Sequence, residues 1–177
     1  MTRSNIIKIA VFASHGGSDL QAIIDGCKSN KINASVVCVI SNNGDSMALT
    51  RAQNEGIPSY HMSAKKYGNE EVLAKEILNV LSLHNVDMIF LAGYMRMLHL
   101  SVLEKYNNRI FNIHPALLPK FGGKGMFGMN VHNAVIAAGE AEPGVTIHRV
   151  NAEYDSGEIV VQTTVPVTEG DTAETLA

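Results

Sequence analysis

Apolar residues recur along the chain in two alternating rhythms. Ile6 to Ala13 is an apolar run broken only by Lys8, the pattern of a strand covered on both faces. After Ser14-His15-Gly16-Gly17-Ser18, residues Leu20, Ile23, Ile24 and Cys27 fall at helical spacing. Ser18 and Gln21 have the spacing of a capping box, so Ser18 is the expected N-cap. Ala34 to Ile40 is rich in β-branched residues and reads as a second strand. Ser41-Asn42-Asn43-Gly44 turns the chain into a short helix, Met47 to Glu55, closed by Gly56. Ile57 to Met62 reads as a short strand whose Pro58 suits a sheet edge.

The rhythm continues with a longer helix from Asn69, carrying Val72, Leu73, Ile77, Val80 and Leu81, and then a buried strand from Asp87 to Leu91. A brief helix at Ser101 to Lys105 precedes a strand from Arg109 to Ile113. Val131 to Ala138 is helical and ends at Gly139; Gly144 to Val150 and Glu158 to Val167 read as strands. Strands alternating with helices imply an α/β fold, a mostly parallel central sheet with helices on both faces. Ligands of such sheets bind beyond the carboxyl ends of the strands. Ser14–Ser18, Gly93–Leu98 and Asn112–Pro119 all follow strands, so they are expected on one side of the sheet.

Composition narrows the class. At 177 residues, with 46% apolar and 18% charged residues, the chain fits one folded domain with a sizeable core. A net charge of -3 argues against a general nucleic-acid binder and leaves room for a small anionic ligand. Cys27 and Cys38 form neither a CxxC pair nor a disulfide framework and read as reduced, buried fillers. Arg3 and Lys8 flank a short apolar run that lacks the long core and cleavage site of a signal peptide. No run approaches the ~20 apolar residues of a membrane span. The expected setting is cytoplasmic.

Three segments carry chemistry. The first is Ser14 to Ser18, a strand, glycine turn and helix start, where α/β proteins hold phosphates on backbone N–H groups. The same segment also fits a plain tight turn. The second is Phe111-Asn112-Ile113-His114-Pro115-Ala116-Leu117-Leu118-Pro119. Alternate strand residues share a face, so Asn112 and His114 project together. An amide donor beside a group that titrates near neutrality suits acyl-type transfer, one steadying an oxyanion and the other moving a proton. A capped Asn and a packed His at a strand end fit as well. The third is Asp155-Ser156-Gly157, a turn by composition. Phe121 to Gly128 carries four glycines and Lys124 and reads as a mobile surface loop. His114, His132 and His148 match no standard metal-ligand spacing, and no metal is expected.

Taken together, Ser14–Asp25 (SHGGSDLQAIID), Leu91–Leu98 (LAGYMRML), Asn112–Lys120 (NIHPALLPK), Gly144–Gly157 and Val165–Leu176 resemble the phosphoribosylglycinamide formyltransferases of the folate-dependent formyltransferase family. The resemblance covers nearly the whole chain and implies a Rossmann-like N-terminal half in a single formyltransferase domain spanning 1–177. It implies transfer of a formyl group from 10-formyltetrahydrofolate, as co-substrate, to the amine of glycinamide ribonucleotide, without metal or covalent enzyme intermediate, by a monomer or homodimer.

Residue by residue, the resemblance makes Asn112 the oxyanion donor, His114 the proton carrier and Asp155 its ionic partner. It gives Gly17, Ser18 and Asp19 to the ribonucleotide phosphate. Met95, Arg96, Met97, Leu98, Asn112, Asn151, Ala152, Glu153 and Tyr154 go to the folate. It also implies a cis Leu118-Pro119 bond.

The chain departs from the family pattern at several points. His15 and Asp19 stand where Gly and Asn are usual, so Asp19 is expected to turn away and serve through its backbone. Asn69-Glu70 replace an arginine, for which Lys65 or Lys66 is the expected substitute. The Gly122–Gly128 loop is longer than in many relatives and is expected to place Lys124 over a ligand. The sequence stops at Ala177, where the family continues into a helix with a ribonucleotide-contacting glutamate, and weak or no activity is the expectation for this form. The competing classes are formyltransferases acting on methionyl-tRNA or a nucleotide sugar, a formyltetrahydrofolate hydrolase, and a non-catalytic folate or phosphate sensor.

Overall fold

The structure, a computed structural model, describes residues 6–140, 143–168 and 170–176. Arg3 and Ala177 lie outside them. The chain divides into two compact units, Met1–Ile110 and Phe111–Ala177.

The first unit is built on parallel strands. β1 (Ile7–Phe12) pairs in parallel with β2 (Ala34–Ser41), which takes β3 (Ser59–His61) on its other edge. On its far side β1 pairs in parallel with β4 (Met88–Ala92). The apolar run is covered only in its second part: Ile9, Ala10, Val11 and Phe12 are buried, whereas Ile6 and Ile7 are exposed. Cys38 on β2 is fully buried, and burial pushes its thiol up to about 12, so it is an inert core residue.

Helices α1 (Ser18–Lys28), α2 (Met47–Asn54), α3 (Ala64–Tyr67), α4 (Glu70–Leu83) and α5 (Leu100–Lys105) make the crossings. α4 starts where its signals put it: the Asn69 side chain accepts from Val72 N at 2.8 Å. It buries Leu73, Ala74, Ile77 and Leu81, each large side chain contributing about 1.5–3 kcal/mol. α2 ends at Gly56 in the left-handed conformation, with Gly56 N bonded to Gln53 O. α3 has no apolar stripe in the sequence, and only its Ser63 cap, which accepts from Lys66 N, marks it.

One local expectation is corrected. Ser18 is not the N-cap of α1; Gly17 is, with φ 70 and ψ 31, and no side chain caps the helix. The reason is steric. A Cβ on Gly17 would fall 2.9 Å from Ala48 Cα and 3.0 Å from Ala48 Cβ. Only glycine permits both the left-handed turn and this approach of α2.

The second unit is antiparallel. β5 (Ile110–His114) pairs with β6 (Gly144–Arg149), which pairs with β7 (Ile159–Thr164). α6 (Met129–Ala137) packs Val131 and Val135 against Ala116, with Phe121, Met126 and Leu176 of α7 (Ala173–Leu176) around them. β6 alternates strictly, burying Gly144, Thr146 and His148. No helix among the described residues is long and apolar enough to cross a membrane.

Candidate active site

In the first unit, the carboxyl ends of three strands are tied by one side chain. Ser14 is fully buried; its N–H donates to Gly93 O at 3.0 Å. Its hydroxyl donates to Asn42 Oδ1 at 2.5 Å and accepts from Met95 N at 2.8 Å. The turns after β1, β2 and β4 are thereby held together, which places Ser14–Ser18 beside Gly93–Met95 as strand order predicts. Beyond Ser14 the turn opens to solvent: His15, Gly16, Ser18 and Asp19 are exposed and Gly17 is half-buried. Gln21 N bonds back to Gly17 O at 3.0 Å and closes the first turn of α1. The amides of Gly17 and Ser18 stand at the positive end of the helix, the ordinary place for a phosphate.

The Met95–Leu98 segment divides by environment. Leu98 is buried, Met95 half-buried, and Arg96 and Met97 are exposed. Tyr94 beside them meets Phe12 edge-on at 5.3 Å, and burial drives its phenol up to about 12, so it stays neutral. Lys66 reaches back to His61 O at 3.0 Å and lies over the Tyr67 ring.

The second unit brings Asn112, His114 and Asp155 together and adds His148. The β5–β6 register sets Asn112 opposite His148 and His114 opposite Thr146. One oxygen of Asp155, Oδ1, is the meeting point. Asn112 Nδ2 lies 3.4 Å from it, His148 Nε2 3.4 Å and His114 Nδ1 3.6 Å. Asn112 Nδ2 also sits 3.1 Å from His148 Nε2. The imidazoles are 4% and 2% exposed and the carboxylate 10%, so these contacts act with little water between them.

Backbone carbonyls set the tautomers. His114 Nε2 is 2.8 Å from Phe121 O, and a carbonyl only accepts, so Nε2 carries a hydrogen. The remaining nitrogen, Nδ1, is where His114 gains or loses its second proton, and it faces Asp155. By the same logic His148 Nδ1 donates to Arg149 O at 2.9 Å, so Nε2 of a neutral ring accepts from Asn112, and only a protonated ring donates from Nε2 to Asp155. Burial opposes ionisation of Asp155. The hydrogen bond to His148, the Gly123 N–H at 2.9 Å on Oδ2 and the two imidazoles outweigh it, and its carboxyl is held below the usual value.

Two backbone features make this geometry possible. Asp155 and Phe121 both adopt left-handed φ, 49 and 54. Asp tolerates that region, whereas a bulky residue such as Phe does so only when its surroundings impose it. At Gly157 no side chain fits: a Cβ would fall 1.7 Å from Arg149 O. The turn must therefore press against the strand that carries His148, and Asp155 is swung inward while Asn151, Ala152, Glu153 and Tyr154 remain exposed. Asn151 braces the loop, accepting from Glu153 N at 2.9 Å and Ser156 Oγ at 3.1 Å.

Leu118-Pro119 is cis. The turn before it is held by Thr146, which donates to Ala116 O at 2.6 Å and accepts from Leu118 N at 3.0 Å. The glycine loop differs from its expectation at its start. Phe121 and Gly123 are bonded to His114 and Asp155, and beyond them Lys124 and Gly125 are exposed while Met126 packs back onto the Val131 cluster. Among the described residues no group of three or more His, Cys, Asp or Glu is arranged to hold a metal.

His148 was given no place in the site from sequence alone. Its alternation with Thr146 on a strand facing Asn112 was the available signal. The carbonyl of Phe121 and the amide of Gly123 carry no side-chain signal at all.

A family model described as formyl transferase matches residues 7–177 and so spans both units. Phosphoribosylglycinamide formyltransferase of Escherichia coli is 37% identical over 95% of this chain and 77% of its own length. The chloroplastic phosphoribosylglycinamide formyltransferase of Arabidopsis thaliana is 42% identical over 96% of this chain, which spans 59% of that relative. The crystal structure of glycinamide ribonucleotide transformylase 1 from Symbiobacterium toebii superposes with a TM-score of 0.89 at 38% identity, covering 98% of this chain and 80% of that one. The α/β architecture is thus that of these transformylases, and the chain belongs to the formyl transferase family.

Proposed function

We propose that the protein transfers a formyl group from 10-formyltetrahydrofolate to the amine of 5'-phosphoribosylglycinamide, a step of purine biosynthesis. The observation that carries this reading is the convergence of Asn112, His114 and His148 on one buried oxygen of Asp155. The amine nitrogen attacks the formyl carbon and a C–N bond forms, with the carbonyl electrons moving to oxygen. An Asn112 N–H donates to that oxyanion. The attacking nitrogen gives up a proton, and the folate nitrogen receives one as its bond to the formyl carbon breaks. His114 Nδ1 carries the proton between them, and the Asp155 carboxylate, ionised well below neutrality, steadies the imidazolium. No oxidant, reductant or covalent bond to the enzyme enters the balance.

In this reading Gly17, Ser18 and Asp19 receive the ribonucleotide phosphate. Met95–Leu98, Asn112 and Asn151–Tyr154 receive the folate. The family match and the names of the similar enzymes support the assignment. A non-catalytic folate sensor is separated by one variant. His114→Ala is expected to lower transfer by about 10²–10⁴-fold while formylfolate binding, followed by fluorescence quenching, is retained. Unchanged transfer would remove His114 from the reaction.

A further inference from the structure

We propose that Arg51 is a positioning residue for the acceptor's phosphate, working through the backbone of the turn at Gly16 and Gly17. The inference rests on the ribonucleotide site proposed above and adds a residue to it. Arg51 sits on α2, the helix that backs the turn, and its Nε donates to Gly16 O at 2.9 Å. One turn earlier on the same helix, Ala48 N donates to His15 O at 3.0 Å. Both peptides are trans, and in a trans peptide the N–H points opposite the carbonyl. Drawing the His15 and Gly16 carbonyls onto α2 therefore turns the Gly16 and Gly17 N–H groups to the side away from α2. Successive amides aimed the same way form an anion-binding concavity.

The arginine is itself held in place. Its Nη1 lies 3.5 Å from Gln21 Oε1, and the Gln21 amide bonds Asp25 at 3.1 Å and Glu55 at 3.2 Å. Glu55 in turn pairs with Lys28. This network joins α1 to α2 and fixes the guanidinium against Gly17, whose missing side chain leaves room for it. A lysine at 51 would keep the charge but has no N–H at the Nε position, so it would lose the hold on the Gly16 carbonyl. The proposed role belongs to the guanidinium fork as a donor rather than to charge alone.

The test titrates ribose 5-phosphate into the intact protein, the Arg51→Met variant and the Arg51→Lys variant, following the backbone amide signals of Gly16, Gly17 and Ser18 by NMR. The unaltered protein is expected to show these signals moving with saturation. Both variants are expected to bind about tenfold more weakly, the loss of a charge-assisted hydrogen bond expressed as an affinity. Thermal midpoints of all three proteins check that the fold is kept. In parallel, formyl transfer is measured with glycinamide ribonucleotide and with its unphosphorylated riboside. The variants should raise KM for the ribonucleotide alone, leaving kcat and the riboside reaction unchanged.

Equal affinity in all three proteins overturns the proposal. So does full recovery by Arg51→Lys, which would leave only a charge effect. Absence of transfer by the unaltered protein, with the amide shifts still dependent on Arg51, would remove the proposed reaction and keep the role of Arg51. Transfer with shifts indifferent to Arg51 would do the reverse.

Discussion

The turn after β1 and the cluster around Asp155 are two solutions to holding charge. The turn uses exposed backbone. Its useful groups are N–H dipoles, oriented by bonds that α2 makes to the opposite sides of the same peptides. The cluster uses buried side chains, and the backbone there fixes which ring nitrogen carries hydrogen and adds one N–H, from Gly123, to the Asp155 carboxylate. The difference teaches where each is vulnerable. Side-chain changes at the turn should alter affinity modestly, because water can replace lost partners. Deleting a side chain in the cluster leaves a buried polar partner unpaired, which costs about 1–3 kcal/mol beyond any loss of chemistry.

The sharpest way to press this contrast after His114 is Asn112→Ala. Loss of one oxyanion donor is expected to lower kcat by about 10²–10³-fold, with KM for the ribonucleotide little changed in steady-state assays. A comparable effect from any single side-chain change in the turn would erase the distinction between the regions. Gly157→Ala comes next. Its Cβ would collide with Arg149 O, so the turn must lift and carry Asp155 with it. Overpacking of this kind costs about 1–3 kcal/mol. The variant should melt several degrees lower by calorimetry, about 2–4 °C per kcal/mol for a chain of this size, and lose turnover with it. A normal melting point would show that the turn has slack.

The electrostatics of Asp155 make a smaller prediction with a definite sign. Its folded value lies below the ordinary 3.8, so the unfolded chain binds the proton more readily. The ionised carboxylate therefore contributes stability that is complete above the unfolded value. That contribution is lost as pH falls below about 4 toward the folded value. Urea midpoints measured across that range should fall more steeply for the unaltered protein than for Asp155→Asn. Equal slopes would mean that the partners around Oδ1 do not favour the ionised form. The smallest effect is expected at Asp19. This exposed carboxylate sits in the first turn of α1, where water screens it, and Asp19→Asn should improve ribonucleotide affinity by no more than about threefold. A gain of tenfold or more would show direct repulsion of the phosphate.

The fold was legible wherever one residue pattern decided one element. β1, β2 and β4 announce themselves as apolar runs, and α4 by its Asn69 cap and its stripe through Leu81. The start of α1 was misread because two signals compete there. Ser18 and Gln21 have the right spacing for a cap, but Gly17 wins because Ala48 leaves room for no side chain. That contact joins residues far apart in sequence, and no local pattern carries it.

The site shows the same divide. Asn112 and His114 were readable from strand alternation, and the structure sets both against Asp155. What turns Asp155 inward is the close passage of Gly157 over Arg149, which the dipeptide Ser-Gly does not reveal. Phe121 was invisible as a functional residue because it acts through its carbonyl, in a backbone conformation its side chain disfavours.

The measurement that bears most directly on the reading is formyl transfer by the unaltered protein. 10-Formyltetrahydrofolate and glycinamide ribonucleotide are supplied together, and deformylated folate and formylated ribonucleotide are quantified side by side. The prediction is that the two products appear in equal amounts and that neither forms when the ribonucleotide is omitted. Deformylated folate without formylated ribonucleotide would mean that water is the acceptor, and no product at all would mean that the buried cluster serves binding; either result contradicts formyl transfer as the function.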